Sequence, residues 1–259
     1  MILLPASARA CRFFRLLIGS LCSAPFLFAC SPTYLLYDDF KSDPVDGLPI
    51  KNIPGSPPGD VVEYIPQIQN RLKVVNFPKT ASNKGLEFNS KPNTLTTQGG
   101  YSTTWLGFKG IQTSDFSKII QYELVGTFDN FENGMTIDVT NGSALVFTRL
   151  QWQRGGKVVA YTSFNPNVAP TSICQLQPNT IYMLTIQVDI KKNTSRINFI
   201  GPVLVNGQAQ NNVSQSVTNI IDQLTYVSGP INPTIAFNWP DENAFGQSRF
   251  TFTGVQIKQ

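Results

Sequence analysis

Apolar and polar residues alternate with a period of two along much of this chain, a pattern that predicts β-strands. The clearest run is Thr180–Ile190, in which every second residue is apolar. The same alternation recurs in Ile119–Phe128 and in Met135–Thr140. Because successive side chains of a strand point to opposite faces, each run predicts a strand with one buried and one polar face.

Turn-forming residues separate these runs and predict how the strands connect. Asn141-Gly142 predicts a β-hairpin, since both residues tolerate positive φ. Arg154-Gly155-Gly156 predicts a second hairpin, and Lys191-Lys192-Asn193 predicts the turn from Thr180–Ile190 into Ser195–Ile200. Shorter apolar runs predict the remaining strands, at Leu35–Phe40, Lys73–Phe77, Gly85–Asn89, Tyr101–Phe108, Ala144–Gln153, Lys157–Phe164, Ile235–Trp239 and Arg249–Ile257.

One segment has helical spacing instead. The apolar residues of Asn212–Val227 fall on one helical face, at Val213, Val217, Ile220, Ile221 and Leu224. Asn212 or Ser214 could cap such a helix, because either side chain can accept a hydrogen bond from the first turn. We therefore predict one short helix near 212–227 in an otherwise all-β chain, which predicts a single antiparallel β-sandwich domain.

The N-terminus has the pattern of a secretory signal peptide. Arg9, Arg12 and Arg15 precede the end of an apolar stretch at Ala29, and no acidic residue occurs before that point. A cationic start and a short apolar run direct export, and a membrane-spanning helix needs a longer run of about 20 residues. We expect residues 1–29 to be removed as a leader; the alternative is a buried N-terminal helix.

The sequence Leu27-Phe28-Ala29-Cys30 resembles the lipobox of bacterial lipoproteins, with an aliphatic residue three positions before the cysteine and a small residue directly before it. The resemblance implies that Cys30 carries lipid, so that membrane lipid is a partner and the bacterial cell envelope is the location. Several acyl chains anchor a protein where a single chain binds reversibly. The open alternative is an ordinary signal-peptidase site, which would let Cys30 pair with Cys174.

Proline and glycine are concentrated in residues 30–70, which argues against central strands there. We interpret this segment as the anchored N-terminal part, whose first strand at Leu35–Phe40 belongs with the sandwich of residues 71–259.

The chain has 20 basic and 16 acidic residues, and loss of three leader arginines leaves a formal charge of +1. No block of like charge remains, so nucleic acid is not an expected partner.

Three segments resemble parts of bacterial concanavalin A-like, or laminin G-like, jelly-roll domains. Asp38–Pro49 (DDFKSDPVDGLP) is similar to their opening motif, Ile181–Asp189 to a central strand and Phe250–Ile257 to the closing strand. Thr253 stands where the group often has aspartate. The resemblance implies an antiparallel two-sheet jelly roll over most of residues 38–258.

The residue content argues against catalysis. The chain contains no histidine, which excludes Ser-His-Asp and Cys-His triads and imidazole metal sites. Glycosidases need two carboxylates about 5–9 Å apart, and the sequence has no run of acids with matching spacing; distant pairs such as Glu123 with Asp138 stay open. Oxygen-rich runs at Asp129–Asn133 and Asp241–Asn243 could bind calcium but also read as polar turns. We predict no metal and no cofactor.

Aromatic residues on otherwise polar strands are the candidates for ligand binding, because sugars stack on aromatic rings. Trp105 shares a predicted strand face with Tyr101 and Gly107, and Trp239 lies among polar residues. Core packing is the alternative for each tryptophan. Trp152 lines up with apolar residues, so we interpret it as part of the core.

These observations lead to one hypothesis and two alternatives. The favoured function is non-catalytic binding of a glycan or cell-surface partner by an exported, lipid-anchored β-sandwich, with Trp105, Tyr101 and Trp239 as ligand-binding residues. A glycoside hydrolase or polysaccharide lyase with dispersed acids is the first alternative. A structural envelope lipoprotein without a small ligand is the second. Two acids in one groove would favour the enzyme, and exposed aromatics in a groove would favour the binder.

Overall fold

The structure is a computed structural model of the 259-residue chain. It describes residues 32–49, 62–64, 72–77, 83–90, 104–128, 135–142, 145–220, 229–239 and 248–259. Within these ranges the side chains of residues 62–64, 89–90, 104–105, 239 and 248 are outside the description. The described residues contain one short 3-10 turn, Arg154–Gly156, and no α-helix.

Fifteen strands, numbered in chain order, make up most of the described chain. Their bounds are β1 Tyr34–Asp38, β2 Val62–Tyr64, β3 Leu72–Asn76, β4 Lys84–Ser90, β5 Thr104–Lys109, β6 Ile120–Phe128, β7 Met135–Thr140, β8 Val146–Trp152, β9 Lys157–Tyr161, β10 Thr171–Leu176, β11 Thr180–Asp189, β12 Thr194–Val205, β13 Gln208–Thr218, β14 Thr234–Trp239 and β15 Ser248–Lys258. Every pairing among these strands is antiparallel. The predicted all-β antiparallel architecture is confirmed.

The strands pair in the order β2-β5-β14-β7-β8-β9-β10-β12-β11-β6-β15-β4-β3, with β1 beside β15 and β13 beside β12. We call the first seven strands of this order the front sheet and the other strands the back sheet. Aromatic contacts join the two sheets: ring centroids are 5.9 Å apart for Trp152 in β8 and Phe199 in β12, and 4.5 Å apart for Phe237 in β14 and Phe252 in β15. The strand order therefore curls into a two-layer sandwich.

Alternation along the strands determines which residues fill this sandwich. In β7 and β11 the apolar residues predicted to face inward are buried, and Trp152 is 1% exposed, as predicted for a core residue. Tyr182 in β11 is buried, so its hydroxyl group needs hydrogen-bond partners within the protein. Its hydroxyl accepts a hydrogen bond from the backbone N–H of Gln177 at 2.6 Å and donates one to the carbonyl of Pro202 at 2.7 Å. Strand alternation thus predicts the core correctly.

The predicted helix near 212–227 is wrong over its described part. Residues 208–218 form β13, which pairs with β12 along its length with one register shift, between Ile200 and Val203, and residues 221–228 lie outside the described residues. Val213 and Val217 suggested a helix because they are four positions apart. Residues four apart share a face in a strand as well as in a helix, and the long neighbouring strand β12 supplies the hydrogen-bonding edge that makes the extended form favourable.

The predicted turns are present. Asn141-Gly142 lies between β7 and β8 with Gly142 at φ +85°, Arg154–Gly156 joins β8 to β9, and Asn193 turns β11 into β12 at φ +53°.

The predicted leader and Cys30 lie outside the described residues. In the described ranges, no helix has the length and apolar character needed to cross a bilayer.

Candidate functional site

Two rows of residues cross the outer face of the front sheet, which is turned away from the core. Met135, Ile137 and Val139 of β7 are buried inward, so the alternate β7 residues belong to this outer face. In each row, residues stand opposite one another on neighbouring strands of the sheet. The central row is Glu63, Gly107, Ala236, Asp138, Arg149 and Tyr161. The second row is Trp105, Asn238, Thr136, Gln151 and Val159.

An ion pair between Asp138 in β7 and Arg149 in β8 forms the centre of this face. Arg149 donates from Nε to Asp138 Oδ1 at 2.6 Å and from Nη2 to Oδ2 at 2.7 Å. Asn238 in β14 donates from Nδ2 to the same Oδ2 at 3.2 Å. The Asp138 side chain is 7% exposed and that of Arg149 is 31% exposed. The hydrogen bonds to Asp138 raise the pKa of the Arg149 guanidinium, and the two parallel donors hold the pair in one geometry.

A groove of about 430 Å³ opens beside this ion pair. Its sheet side is formed by Thr136, Arg149, Gln151 and Tyr161. Its other wall is formed by residues of the loop 163–170, which connects β9 to β10. Ligand pockets typically enclose about 300–1,000 Å³, so the groove has the size of a small-ligand site.

Phe164 brings an aromatic ring to this groove. The residue is 50% exposed, and the Arg149 Cζ lies 4.9 Å from its ring centroid, within the range of a cation–π contact. The surrounding loop is shaped by its own side chains: Ser163 Oγ accepts from the backbone N–H of Asn165 at 3.0 Å, and Asn165 Oδ1 accepts from that of Asn167 at 3.0 Å. The ring therefore presents apolar surface directly beside polar groups.

Two hydrogen-bond donors remain available on the sheet side of the groove. The Tyr161 hydroxyl donates to Gln151 Oε1 at 2.9 Å, which fixes the Gln151 amide. Neither the Nε2 atom of Gln151 nor the Nη1 atom of Arg149 bonds to a residue in the described part of the chain. Both side chains line the groove, so these donors can bind ligand oxygen atoms.

The described residues of the groove do not supply the two carboxylates of a glycosidase. Asp138 is engaged by Arg149, and Glu123, its possible distant partner, lies in β6 of the back sheet. Glu123 is 3.1 Å from the Lys258 Nζ atom, while its neighbour Tyr122 is buried in the core. Glu123 and Asp138 therefore lie on the outer faces of opposite sheets and cannot flank one glycosidic bond.

The described ranges contain neither a cluster of metal ligands nor a reactive cysteine. No group of three or more His, Cys, Asp or Glu residues comes together there. The calcium candidates at 129–133 and 241–243 lie outside these ranges. Cys174 is buried in β10, and burial raises the pKa of its thiol to about 12, so it is not a nucleophile near neutral pH.

The predicted ligand-binding residues are only partly described. Tyr101 lies outside the described residues, and Trp105 and Trp239 are described through their backbone alone. Strand register pairs Trp105 with Asn238 and Trp239 with Thr104. By position, Trp105 therefore belongs to the second row on the polar face, beside the asparagine that binds Asp138. Trp239 follows Asn238 directly and belongs by position to the opposite face.

Sequence reasoning missed four residues that line the groove: Arg149, Gln151, Tyr161 and Phe164. A partial signal was present in β8, where Arg149 and Gln151 alternate with buried apolar residues. That alternation indicates a polar outer face on β8, but it does not show which residues of neighbouring strands and loops lie beside Arg149 and Gln151.

Comparisons with known proteins bear on the fold. No protein-family model and no curated protein matches the sequence. Among solved structures, a sialidase aligns over 88% of this chain and 18% of its own, with a TM-score of 0.56 and 7% identity. This chain thus spans less than a fifth of that sialidase. A likeness at such low identity shows a shared fold and nothing finer.

Two further solved structures align over most of both chains. The lectin UEA-II complexed with galactose is 6% identical and aligns over 87% of this chain and 98% of its own, with a TM-score of 0.46. A GH131 β-glucanase catalytic domain from Podospora anserina is 12% identical and aligns over 85% and 86%, with a TM-score of 0.43. The antiparallel two-sheet sandwich expected from the sequence rests on the strand pairing of the described residues.

Proposed function

We propose that this chain is an exported, lipid-anchored protein of the bacterial envelope that binds a glycan without catalysis, and that the groove beside Asp138 and Arg149 is the binding site. The observation that carries the proposal is the fixed polar group of Asp138, Arg149 and Asn238 next to the half-exposed ring of Phe164. Sugars present hydroxyl groups around an apolar ring face. They therefore match a site that combines fixed polar groups with an aromatic ring.

The geometry of the ion pair favours binding over reaction. Asp138 accepts hydrogen bonds from Arg149 and Asn238, so its position is determined before any ligand arrives. A preorganised site loses less conformational entropy when it binds. A general acid or base would instead need a carboxylate within hydrogen-bond reach of the reacting oxygen, and this carboxylate is occupied by protein donors.

A glycan-array screen with purified Cys30→Ala protein tests the proposal. We expect a set of related glycans to bind, and Phe164→Ala to weaken that binding up to about tenfold, because aromatic stacking contributes about 0.5–1.5 kcal/mol. The melting temperature should change little, since Phe164 is half-exposed. Ile119→Ala is the matched control: it removes a residue that is 46% exposed and directly precedes β6 of the back sheet. Equal losses in both variants would contradict the assignment of the groove.

A glycoside hydrolase is the alternative, and one observation favours it. Glu63 and Asp138 belong to the same central row, and the positions between them hold the small residues Gly107 and Ala236. However, three strand spacings separate the two acids, about 14 Å between backbones, against about 5–9 Å between the carboxyl groups of glycosidases. We therefore rank binding first.

A measurement of new reducing ends, made with each glycan that binds, separates the two functions. Release of sugar that Asp138→Asn abolishes, in a variant that far-UV circular dichroism shows to be folded, would establish the hydrolase, and binding without release supports the proposed function. If no glycan binds, the structural envelope lipoprotein becomes the better reading.

A further inference from the structure

The edge of the back sheet is a long strand without charged residues or proline, two of the features that normally prevent edge strands from pairing; its ladder with β12 has one irregularity, between Ile200 and Val203. Among the described residues, β13 (Gln208–Thr218) pairs with β12 alone, which leaves its other edge open. Its residues are exposed from Gln208 to Asn212 and from Ser214 to Ser216. Natural edge strands are usually short, or carry charged residues, proline or bulges that block pairing with another chain. Residues 208–218 contain no charged residue, no proline and no glycine.

The order of apolar and polar residues in β13 reads the same in both directions. The apolar residues are Ala209, Val213 and Val217, spaced four apart, and every other residue of 208–218 is polar. Val213 is the central residue of the strand. When two copies of β13 pair antiparallel over their full length, a two-fold axis passes at Val213, and Ala209 of one copy stands opposite Val217 of the other. Every apolar position then meets an apolar position.

The polar residues of β13 are all of a kind that is complementary to itself. They are amides and hydroxyls: Gln208, Gln210, Asn211, Asn212, Ser214, Gln215, Ser216 and Thr218. Amides and hydroxyls each carry a donor and an acceptor, so two such side chains can bond across a two-fold axis. Like charges facing each other would instead repel. A strand made only of such residues fits a second copy of itself and carries no charge of its own; the nearest described charge is Arg196 of β12, which donates from Nε to Ser214 Oγ at 2.9 Å.

We propose that two copies of this chain associate through β13, in antiparallel register centred on Val213, so that their back sheets form one continuous sheet. The interface is isologous, because the same strand faces itself about a two-fold axis, which is the commonest symmetry of protein dimers. Backbone hydrogen bonds along the strand supply the attraction, and the matched side chains determine the register. This inference does not depend on the proposed glycan site, which lies on the front sheet.

The mass of the purified intact chain, measured by sedimentation equilibrium in density-matched detergent, tests the association. We expect the dimer mass at micromolar concentration. Asn212→Lys should give the monomer mass, because residue 212 stands opposite Ser214 of the other copy, which puts the two new charges diagonally across the axis on the same face of the sheet. Ser172→Lys is the control: it adds the same charge at an exposed residue of β10, in the front sheet, and should leave the dimer intact. Far-UV circular dichroism checks that both variants are folded.

Oxidative crosslinking tests the register independently. Val213→Cys should form an intermolecular disulfide, because residue 213 stands opposite its own copy. Gln208→Cys should not, since full overlap separates the two copies of residue 208 by ten positions, about 33 Å along the strand. Both variants carry Cys30→Ala, and Cys174 is buried, so neither Cys30 nor Cys174 contributes intermolecular crosslinks. A monomeric wild type, a dimer that Asn212→Lys leaves intact, or crosslinking at 208 rather than at 213 would each overturn the proposal.

Discussion

At the residue scale, Asp138 depends on donors from two neighbouring strands. Its carboxylate is 7% exposed and is bonded by Arg149 on one side and Asn238 on the other. Removing one partner from a buried ion pair destabilises a protein by up to about 3–5 kcal/mol. Variants of Asp138 or Arg149 would therefore mix stability with binding. Phe164 is half-exposed and contacts Arg149 only through its ring, so its truncation costs less stability than loss of either charge and separates binding from folding better.

Trp105 is the residue for which the sequence makes the sharpest binding prediction. Its backbone position beside Asn238 belongs to the polar face. We expect Trp105→Ala to weaken glycan binding several-fold with little change in melting temperature, because an aromatic platform contributes about 0.5–1.5 kcal/mol by stacking. Titration of the best array glycan, with thermal unfolding of both proteins, checks this. A core tryptophan would instead lose about 3–5 kcal/mol of stability on truncation, and that result would remove Trp105 from the site.

At the element scale, two hairpin glycines have similar positive φ angles in different surroundings. Gly142, in the loop between β7 and β8, has φ +85°, and a Cβ there would lie 2.5 Å from the carbonyl oxygen of Asn232. Gly207, in the turn between β12 and β13, has φ +78° and nothing within 4 Å of such a Cβ. The first hairpin therefore requires glycine for both conformation and space, and the second for conformation alone.

The two glycines give a matched prediction for hairpin stability. Gly207→Ala should lose about 1–2 kcal/mol, the usual cost of a left-handed conformation for a residue with a Cβ. Gly142→Ala should lose more, because overpacking adds about 1–3 kcal/mol when a neighbour must move. Urea unfolding followed by circular dichroism measures both changes in the free energy of unfolding. Equal losses would mean that the strand following Asn232 moves aside without cost.

At the scale of the whole molecule, the sandwich separates three roles. The proposed glycan groove lies on the front sheet, and the proposed dimer edge lies on the back sheet. The proposed anchor, Cys30, precedes β1 by four residues, and β1 pairs with β15 of the back sheet. A tether this short would keep the domain close to the membrane.

The anchor itself gives the prediction for the whole molecule. Cys30→Ala should move the protein from the membrane fraction to the soluble fraction, because acyl chains supply the membrane affinity of a domain with a formal charge of +1. Metabolic labelling with a clickable fatty acid should mark the wild type and the Cys174→Ala control, but not Cys30→Ala. An unlabelled wild type would refute the lipid anchor.

Much of the fold could be predicted from local pattern alone. Met135–Thr140 is β7 as predicted, and Thr180–Ile190 differs from β11 by one residue. Trp152 is buried as its apolar neighbours indicated. These predictions succeed because the period of two is a property of the extended backbone, so a single strand already shows which of its faces is buried.

The residues that share the groove could not be predicted, because strand register and non-local pairing are absent from a one-dimensional pattern. A two-residue Asn141-Gly142 loop would have put Asp138 opposite Leu145. The N–H of Asn141 instead bonds to the carbonyl of Leu145, which lengthens the loop and brings Asp138 opposite Arg149. Asn238 reaches the same carboxylate from 100 positions away.

The segment 208–218 is a second case in which the local pattern left open what strand pairing decided. Its apolar residues, four apart, fit one face of a helix and one face of a strand equally well, so the sequence by itself determined a face but not an element. Only the presence of β12 alongside decided for the strand, because its unpaired edge could satisfy the backbone groups of an extended chain. Local period determines which residues point together; tertiary pairing decides what they meet.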